Sequence, residues 1–221
     1  MDSVAERGLW LPDDAHRADL AKFVDHALRL DDAAVIRLRA RATGLVTAWL
    51  ATGFDVLASR VVAGTVRPDD MSVGADGLAR GLSAAPAADG YVDPGFAMDS
   101  AWRGALPPDS GFTHLDDVPA KAILELSQSG AQLAREHGSA HGPPVSLLDQ
   151  EVIEVSSGDT AVGLPMRCVF ALTAMGFLPP SADAIGDEEV IRVRVLPSWL
   201  RIDARFGSVY RRRGPASLVL R

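Results

Sequence analysis

Two stretches of this chain repeat one pattern: VIRLRARATGLVTAWL at 35–50 and VIRVRVLPSWLRIDAR at 190–205. An acidic segment precedes each, Asp31-Asp32 in the first case and Asp187-Glu188-Glu189 in the second. Apolar residues alternate with arginine in both copies, which is the period of a strand with one buried face. Because each copy also follows an apolar helical segment, we predict an α+β protein with a largely antiparallel sheet and packed helices. The repeat indicates a duplicated helix-plus-β-meander unit.

The same pattern divides the 221 residues into three parts. Residues 1–82 hold the first unit and residues 114–221 the second, which we expect to pack with the first as one globule. Residues 83–113 have many prolines and glycines and no stable period. Their aromatic side chains are Tyr91, Phe96, Trp102 and Phe112. Loops longer than about 12–15 residues are often functional or disordered, and we expect this one to pack across the protein or to form a binding surface.

Three segments have the composition of helices. Apolar residues at helical spacing predict a first helix up to about Leu30, capped by Asp13 or Asp14, with Arg17 on its solvent side. A second helix is predicted over 119–137, capped by Asp116 or Asp117. A third, over 165–175, is apolar nearly all round and is therefore expected to be buried.

Composition limits the class of protein. An apolar content of 48% is enough for a core, and no apolar run reaches the roughly 20 residues that span a bilayer. The N-terminal MDSVAERGLWLPDD lacks the apolar centre of a signal peptide, so we expect a cytoplasmic protein. The single cysteine, Cys168, has no partner for an internal disulfide and lies among apolar residues. We expect a buried structural thiol.

Charge is distributed unevenly. The net charge is −7, yet the segment 190–221 has eight arginines and one acid, Asp203. An acidic body disfavours general adhesion to nucleic acid, although a local basic face can still bind phosphate.

The second meander provides the best functional candidate. Alternation directs Ile191, Val193 and Val195 toward the core, and the same face continues through Leu200, Ile202, Ala204 and Phe206. The side chains expected on the opposite face are Arg192, Arg194, Trp199, Arg201 and Arg205. Such a face could bind a phosphate backbone, stack on bases, or contact an acidic protein surface. A plain solvated sheet face is the alternative.

Catalytic motifs are absent: there is no Gly-x-Ser-x-Gly elbow, Walker loop, dinucleotide fingerprint or zinc-binding cysteine set. An enzyme assembled from scattered residues stays open, with His114, Asp116 and Asp117 near the 83–117 loop as its candidates. Glu136, His137 and His141 stand close in sequence, but no second pair of ligands accompanies them. We predict no metal and no cofactor.

A winged helix is a further alternative, because the third helix ends in MGFL and a basic hairpin follows. A recognition helix must present polar residues to the DNA groove. Residues 165–175 offer little besides Arg167 and Thr173.

Two resemblances accompany these patterns. DLAKFVDHAL at 19–28, the segment 35–66 and MSVGADGLARGL at 71–82 resemble the helix–strands–helix order of a sliding-clamp repeat. That resemblance implies an acidic protein built from duplicated units and leaves DNA binding as an alternative. AWRGALPP, VSLLDQEVIEV, TAMGFLP and FGSVYRR are similar to uncharacterised proteins of GC-rich actinobacteria, which implies no activity.

The sequence thus favours a cytoplasmic, non-enzymatic interaction protein that uses the arginine–tryptophan face together with Tyr91 and Trp102. A protein partner is the first expectation and nucleic acid the second. No membrane contact is expected, and self-association through a sheet edge stays open.

Overall fold

The computed structural model describes residues 7–42, 44–85, 87–137 and 143–214. The chain divides into two compact units, Met1–Gly53 with Ser59–Ala105 and Phe54–Ala58 with Leu106–Arg221. The long loop predicted at 83–113 therefore belongs in part to each unit. Thr43, in the turn between the first two predicted strands, and His141 lie outside the described residues.

The first unit contains two sheets and two helices. Its strands are β1 (Gly8–Trp10), β2 (Val35–Arg41), β3 (Leu45–Ala51), β4 (Leu57–Ala63, in this unit from Ser59 onward), β5 (Thr65–Arg67), β6 (Asp70–Gly74) and β7 (Tyr91–Val92). Its helices are α1 (Asp14–Leu30) and α2 (Ala75–Ser83), which pack against each other. Within this unit the larger sheet has the strand order β6-β2-β3-β4, and the smaller sheet has the order β5-β1-β7. Strand β2 pairs antiparallel with both β3 and β6.

Helix α1 begins where the sequence predicts it, with the Asp13 carboxylate accepting the backbone N–H of His16 at 2.9 Å. Arg17, predicted on the solvent side, is only 9% exposed. Its guanidinium donates to the carbonyl oxygens of Leu82 at 3.0 Å and Tyr91 at 3.3 Å. These carbonyls satisfy a cation that would otherwise be costly to bury. The prediction for Arg17 is wrong because helical periodicity does not show which segment will cover a helix.

The second unit contains four strands of an antiparallel sheet, a separate hairpin and three helices. Its strands are β8 (Thr113–Pro119), β9 (Glu151–Ser157), β10 (Thr160–Pro165), β11 (Val190–Leu196), β12 (Trp199–Ala204) and β13 (Gly207–Arg212). Its helices are α3 (Ala120–His137), α4 (Val145–Asp149) and α5 (Met166–Ala174). Within this unit the sheet order is β13-β12-β11-β8, with every neighbouring pair antiparallel. Strands β9 and β10 form the hairpin.

The core of the second unit lies between one face of this sheet and helix α5, which contacts α3 and β13. Ile191 and Val193 on β11 and Val209 on β13 are completely buried. Residues 166–172 of α5 are also buried, as its apolar composition predicts. The Cys168 thiol is buried, as predicted, and this burial raises its pKa to about 12.

The predicted fold class is confirmed. A three-stranded meander follows α1 in the first unit, and another follows α5 in the second. Each meander belongs to an antiparallel sheet accompanied by helices, as expected of a duplicated unit. No helix in the described ranges is long and apolar enough to cross a membrane.

Two local predictions in the second unit are wrong. Asp116 or Asp117 was expected to cap α3, but both lie within strand β8, where Asp117 is opposite Arg192 of β11 in the register of the sheet. The strand continues to Pro119, so the helix begins only at Ala120. Phe206 was expected in the core and is 39% exposed, because β12 ends at Ala204 and strand alternation stops there.

Candidate partner-binding face

The arginines of the second meander share one face of sheet β13-β12-β11-β8. Along β11 the core residues alternate with exposed Arg192 and half-buried Arg194. In the register of the sheet, Arg192 is opposite Asp203 and Arg194 is opposite Arg201, while Tyr210 of β13 lies beside Arg201. We call this surface, formed by these five residues, the arginine face. The predicted alternation of β11 is confirmed.

Asp203 connects the strands beneath this face. Its carboxylate accepts a hydrogen bond from Arg194 Nη1 and another from Arg201 Nε at 2.7 Å. The Ser208 hydroxyl donates to the same group, so one side chain joins β11, β12 and β13. The Asp203 side chain is only 17% exposed, and hydrogen bonds to a partly buried charge are stronger than those in water. Arg194 and Arg201 therefore have a structural role besides any contact with a partner.

Aromatic rings cover part of the same face. The Arg201 guanidinium lies 5.4 Å from the ring centroid of Tyr210 and 5.7 Å from that of Phe112. The two rings meet nearly edge to face with centroids 6.0 Å apart. Each cation–π contact of this kind stabilises by roughly 0.5–1 kcal/mol when solvent is near. The end of the long loop is thus fixed onto the sheet by Arg201.

Trp199 was predicted to lie at the surface, but it is only 6% exposed. It is in phase with Arg201 along β12, but the Arg212 guanidinium lies 5.8 Å from its ring centroid. Strand alternation shows which side of a sheet a residue takes but not whether a neighbour covers it. Trp199 is therefore a packing residue, and the prediction that it is exposed on a binding surface is wrong.

Arg192 is the arginine best placed to contact a partner. It is exposed and makes no ion pair within the part of the chain that the structure describes. Arg205 is 45% exposed but pairs with Glu189, whose second carboxylate oxygen is buried and accepts no hydrogen bond from the described residues. The candidate contact is thus centred on Arg192, with Arg194 and Arg201 held beside it.

The long loop presents a different aromatic residue from those predicted. Tyr91 lies in β7 with its ring centroid 5.5 Å from that of Trp10. Trp102 is half-buried, with the Arg37 guanidinium 5.8 Å from its ring. Phe96, by contrast, is 91% exposed. Aromatic content alone could not separate the packed rings from the exposed one.

The turn that carries Phe96 is closely packed. Gly95 has a φ of +79°, and its backbone N–H donates to the Asp93 carboxylate at 2.9 Å. It approaches Gly77 of α2 so closely that a Cβ on Gly95 would lie 3.1 Å from the Gly77 Cα. Arg7 donates to the Gly95 carbonyl oxygen. An exposed phenylalanine on a fixed turn is a second candidate contact, in the first unit.

The candidate catalytic residues do not form a complete site. His114 Nε2 lies 2.9 Å from Asp117 Oδ1, but the two side chains are 51% and 40% exposed. Asp116 instead accepts the backbone N–H of Asp117. His114 has no further hydrogen bond among the described residues, so no nucleophile is oriented by this pair. In the same ranges, no three His, Cys, Asp or Glu side chains lie close enough to hold a metal ion.

Comparisons with known families and structures relate this geometry to other proteins. Residues 4–104 match the family DUF8010 and residues 107–216 match DUF8185, each described as a domain of unknown function. No curated protein matches the chain.

Solved DNA polymerase clamps have a similar fold. A protein from Eubacterium rectale described as a DNA polymerase III beta subunit has a TM-score of 0.58 at 10% identity, covering 96% of this chain and 66% of that one. The beta subunit of Streptococcus pyogenes DNA polymerase gives 0.56 at 13% identity, covering 95% and 65%. A Caulobacter crescentus beta sliding clamp solved with polyethylene glycol bound gives 0.56 at 14% identity, covering 96% and 66%. The fold is that of a sliding clamp.

The clamp fold extends well beyond the segment in which the sequence suggested it. The resemblance predicted for residues 19–82 is confirmed as a likeness of fold over nearly the whole chain. The chain spans about two thirds of the length of these clamps. The two family matches agree with the predicted similarity to a group of uncharacterised proteins. The actinobacterial origin of that group stays a prediction.

A winged helix does not fit the second unit. Residues 166–172 of α5 are buried, including Arg167 at 7% exposure. Arg167 donates to the Phe54 carbonyl oxygen at 2.8 Å and pairs with Asp149. This helix therefore has no free polar face for a DNA groove.

Proposed function

We propose that this protein is a non-enzymatic, clamp-like binding protein that engages a protein partner through the arginine face. The observation that carries the proposal is the environment of Arg192, an exposed guanidinium on a regular strand with no ion pair to the described residues. Side chains on regular strands are held more rigidly than those on loops, which reduces the entropy lost on binding. Arginine is also enriched among residues that dominate interface energetics.

The charge of the arginine face favours an acidic partner surface. Arg192, Arg194 and Arg201 lie close together, while the acids beside them are Asp203 within the face and Asp117, which is opposite Arg192 on β8. A cationic excess therefore remains after internal pairing. Complementary charge raises the association rate and selects against basic partners.

Phe96 supports a binding role for the first unit as well. Exposed aromatic side chains are typical interface anchors, and the packed turn at Gly95 holds this ring in the solvent. The solved proteins of similar fold are named as subunits of DNA polymerase. An interaction protein agrees with that likeness.

The test compares partner capture by three forms of the tagged protein: wild type, Arg192→Glu and Lys22→Glu. Lys22 is exposed on α1, so Lys22→Glu makes the same charge change in the other unit. We expect a nuclease-treated lysate to yield a protein retained by wild type and by Lys22→Glu but lost from Arg192→Glu. Equal retention by Arg192→Glu would remove the arginine face from the proposal.

Nucleic-acid binding is the second candidate, favoured by the basic C-terminal strands and by the likeness to DNA polymerase subunits. In the same capture experiment it predicts recovery that disappears after nuclease treatment. Self-association is a further proposal, and light scattering of the pure protein at several concentrations tests it.

A further inference from the structure

A second surface of the second unit has the features of a small-ligand site. Two open cavities of about 400 Å³ and 320 Å³ lie beside the β9–β10 hairpin, and Arg213 lines both of them. Cavities of several hundred Å³ are the usual size for small ligands. None of their lining residues belongs to the arginine face.

The smaller cavity combines apolar surface with a few hydroxyls. Leu115 and Val195, which are 6% and 9% exposed, supply aliphatic lining together with Leu196 and Pro197. Thr113, Ser157 and Thr160 contribute the hydroxyl groups. Among the described residues, no acidic side chain lines this cavity. His114 also lines this cavity, with its Nε2 2.9 Å from Asp117 Oδ1. A ligand there would find the Arg213 guanidinium, the His114 imidazole, an apolar wall and neutral hydroxyl groups.

The larger cavity is less favourable for an anionic ligand than the smaller one. Glu151 and Glu154 line it, and both are exposed carboxylates that repel an anion. Its other cation, Arg211, lies 3.5 Å from the Asp149 carboxylate and is partly neutralised. An anionic group is therefore directed from the larger cavity toward Arg213 and the smaller one.

Arg213 is held in place without being neutralised. Its backbone N–H donates to the Ser198 carbonyl oxygen at 2.9 Å, and its Nη1 donates to that of Leu196 at 3.2 Å. It has no carboxylate partner among the residues that the structure describes. A guanidinium has five N–H donors in a fork that matches a carboxylate. Donors thus remain for a bidentate contact with an anion.

We propose that the smaller cavity binds a carboxylate attached to a short aliphatic group, with the carboxylate on Arg213 and the aliphatic group against Leu115 and Val195. Two sources share this chemistry: a peptide C-terminus that ends in an aliphatic residue, and a free short-chain carboxylic acid. The proposal is independent of the partner-binding role of the arginine face.

Calorimetric titration of the full chain with three probes tests the site. The probes are N-acetyl-Val-Leu with a free carboxylate, the same dipeptide as its C-terminal amide, and hexanoate. We expect the acid to bind and the amide to bind at least roughly tenfold more weakly, because the amide loses the charge-assisted contact. Tighter binding of the dipeptide than of hexanoate identifies a peptide terminus, and the reverse identifies a free acid.

Three variants keep the test specific. Arg213→Gln should weaken the binding probe roughly tenfold, while Arg29→Gln, an exposed charge-matched change on α1, should leave it unaltered. Thr160→Trp changes an exposed strand residue and should block the cavity without disturbing the core. Equal binding of acid and amide, an unaffected Arg213→Gln protein, or no saturable binding of any probe would overturn the proposal.

Discussion

At the residue scale, Trp199 and Arg192 lie on the same sheet but have different roles: Trp199 packs, and Arg192 is the candidate contact with a partner. Trp199 is 6% exposed, whereas Arg192 is exposed and has no ion pair to the described residues. We expect Trp199→Ala to lower the free energy of unfolding by about 3–5 kcal/mol, because it leaves a cavity. Arg192→Ala should change it by less than about 0.5 kcal/mol. Urea unfolding followed by circular dichroism measures both, and a Trp199→Ala effect as small as that of Arg192→Ala would contradict the packed position of the ring.

At the element scale, helix α2 depends on a glycine where a neighbouring segment crosses it. A Cβ on Gly81 would lie 1.8 Å from the Asp93 carbonyl oxygen. We expect Gly81→Ala to cost at least about 2 kcal/mol, because backbone must move to relieve the overlap. Gly53→Ala is the matched control, since a Cβ there would meet no described atom within 4 Å and the φ of Gly53 is not in the left-handed region. Thermal unfolding compares the two variants, and similar melting temperatures would show that the helix and the 91–95 segment are not packed as described.

At the scale of the whole molecule, charge decides which polymers the protein can bind. The net charge is −7, although the C-terminal strands are basic. We expect a fluorescent DNA duplex to bind weakly, with affinity falling roughly tenfold between about 50 and 200 mM salt, as release of counterions from about two phosphates would give. Fluorescence anisotropy measures this, with Arg192→Glu as the variant that should abolish the low-salt binding. Tight binding that is insensitive to salt would contradict an acidic body with one local basic face.

Much of the fold could be predicted because its signals are local. Alternation over 190–196 correctly distinguishes the buried and exposed sides of β11, and Asp13 correctly marks the start of α1. These patterns depend only on the period of the backbone and on capping within a few residues. The reuse of one pattern at 35–50 and 190–205 likewise indicated two related units.

The sequence by itself determined helices α1 and α5, most of α3, the two meanders and the position of the arginines along the meanders. Only the tertiary structure decided which of these side chains are covered: Arg17 by carbonyls distant in sequence, Trp199 by Arg212, and Arg201 by Phe112. It also identified Phe96, rather than Tyr91 or Trp102, as the exposed ring of the loop. Periodicity specifies the direction of a side chain, whereas burial depends on segments that are distant in sequence and meet only when the chain folds.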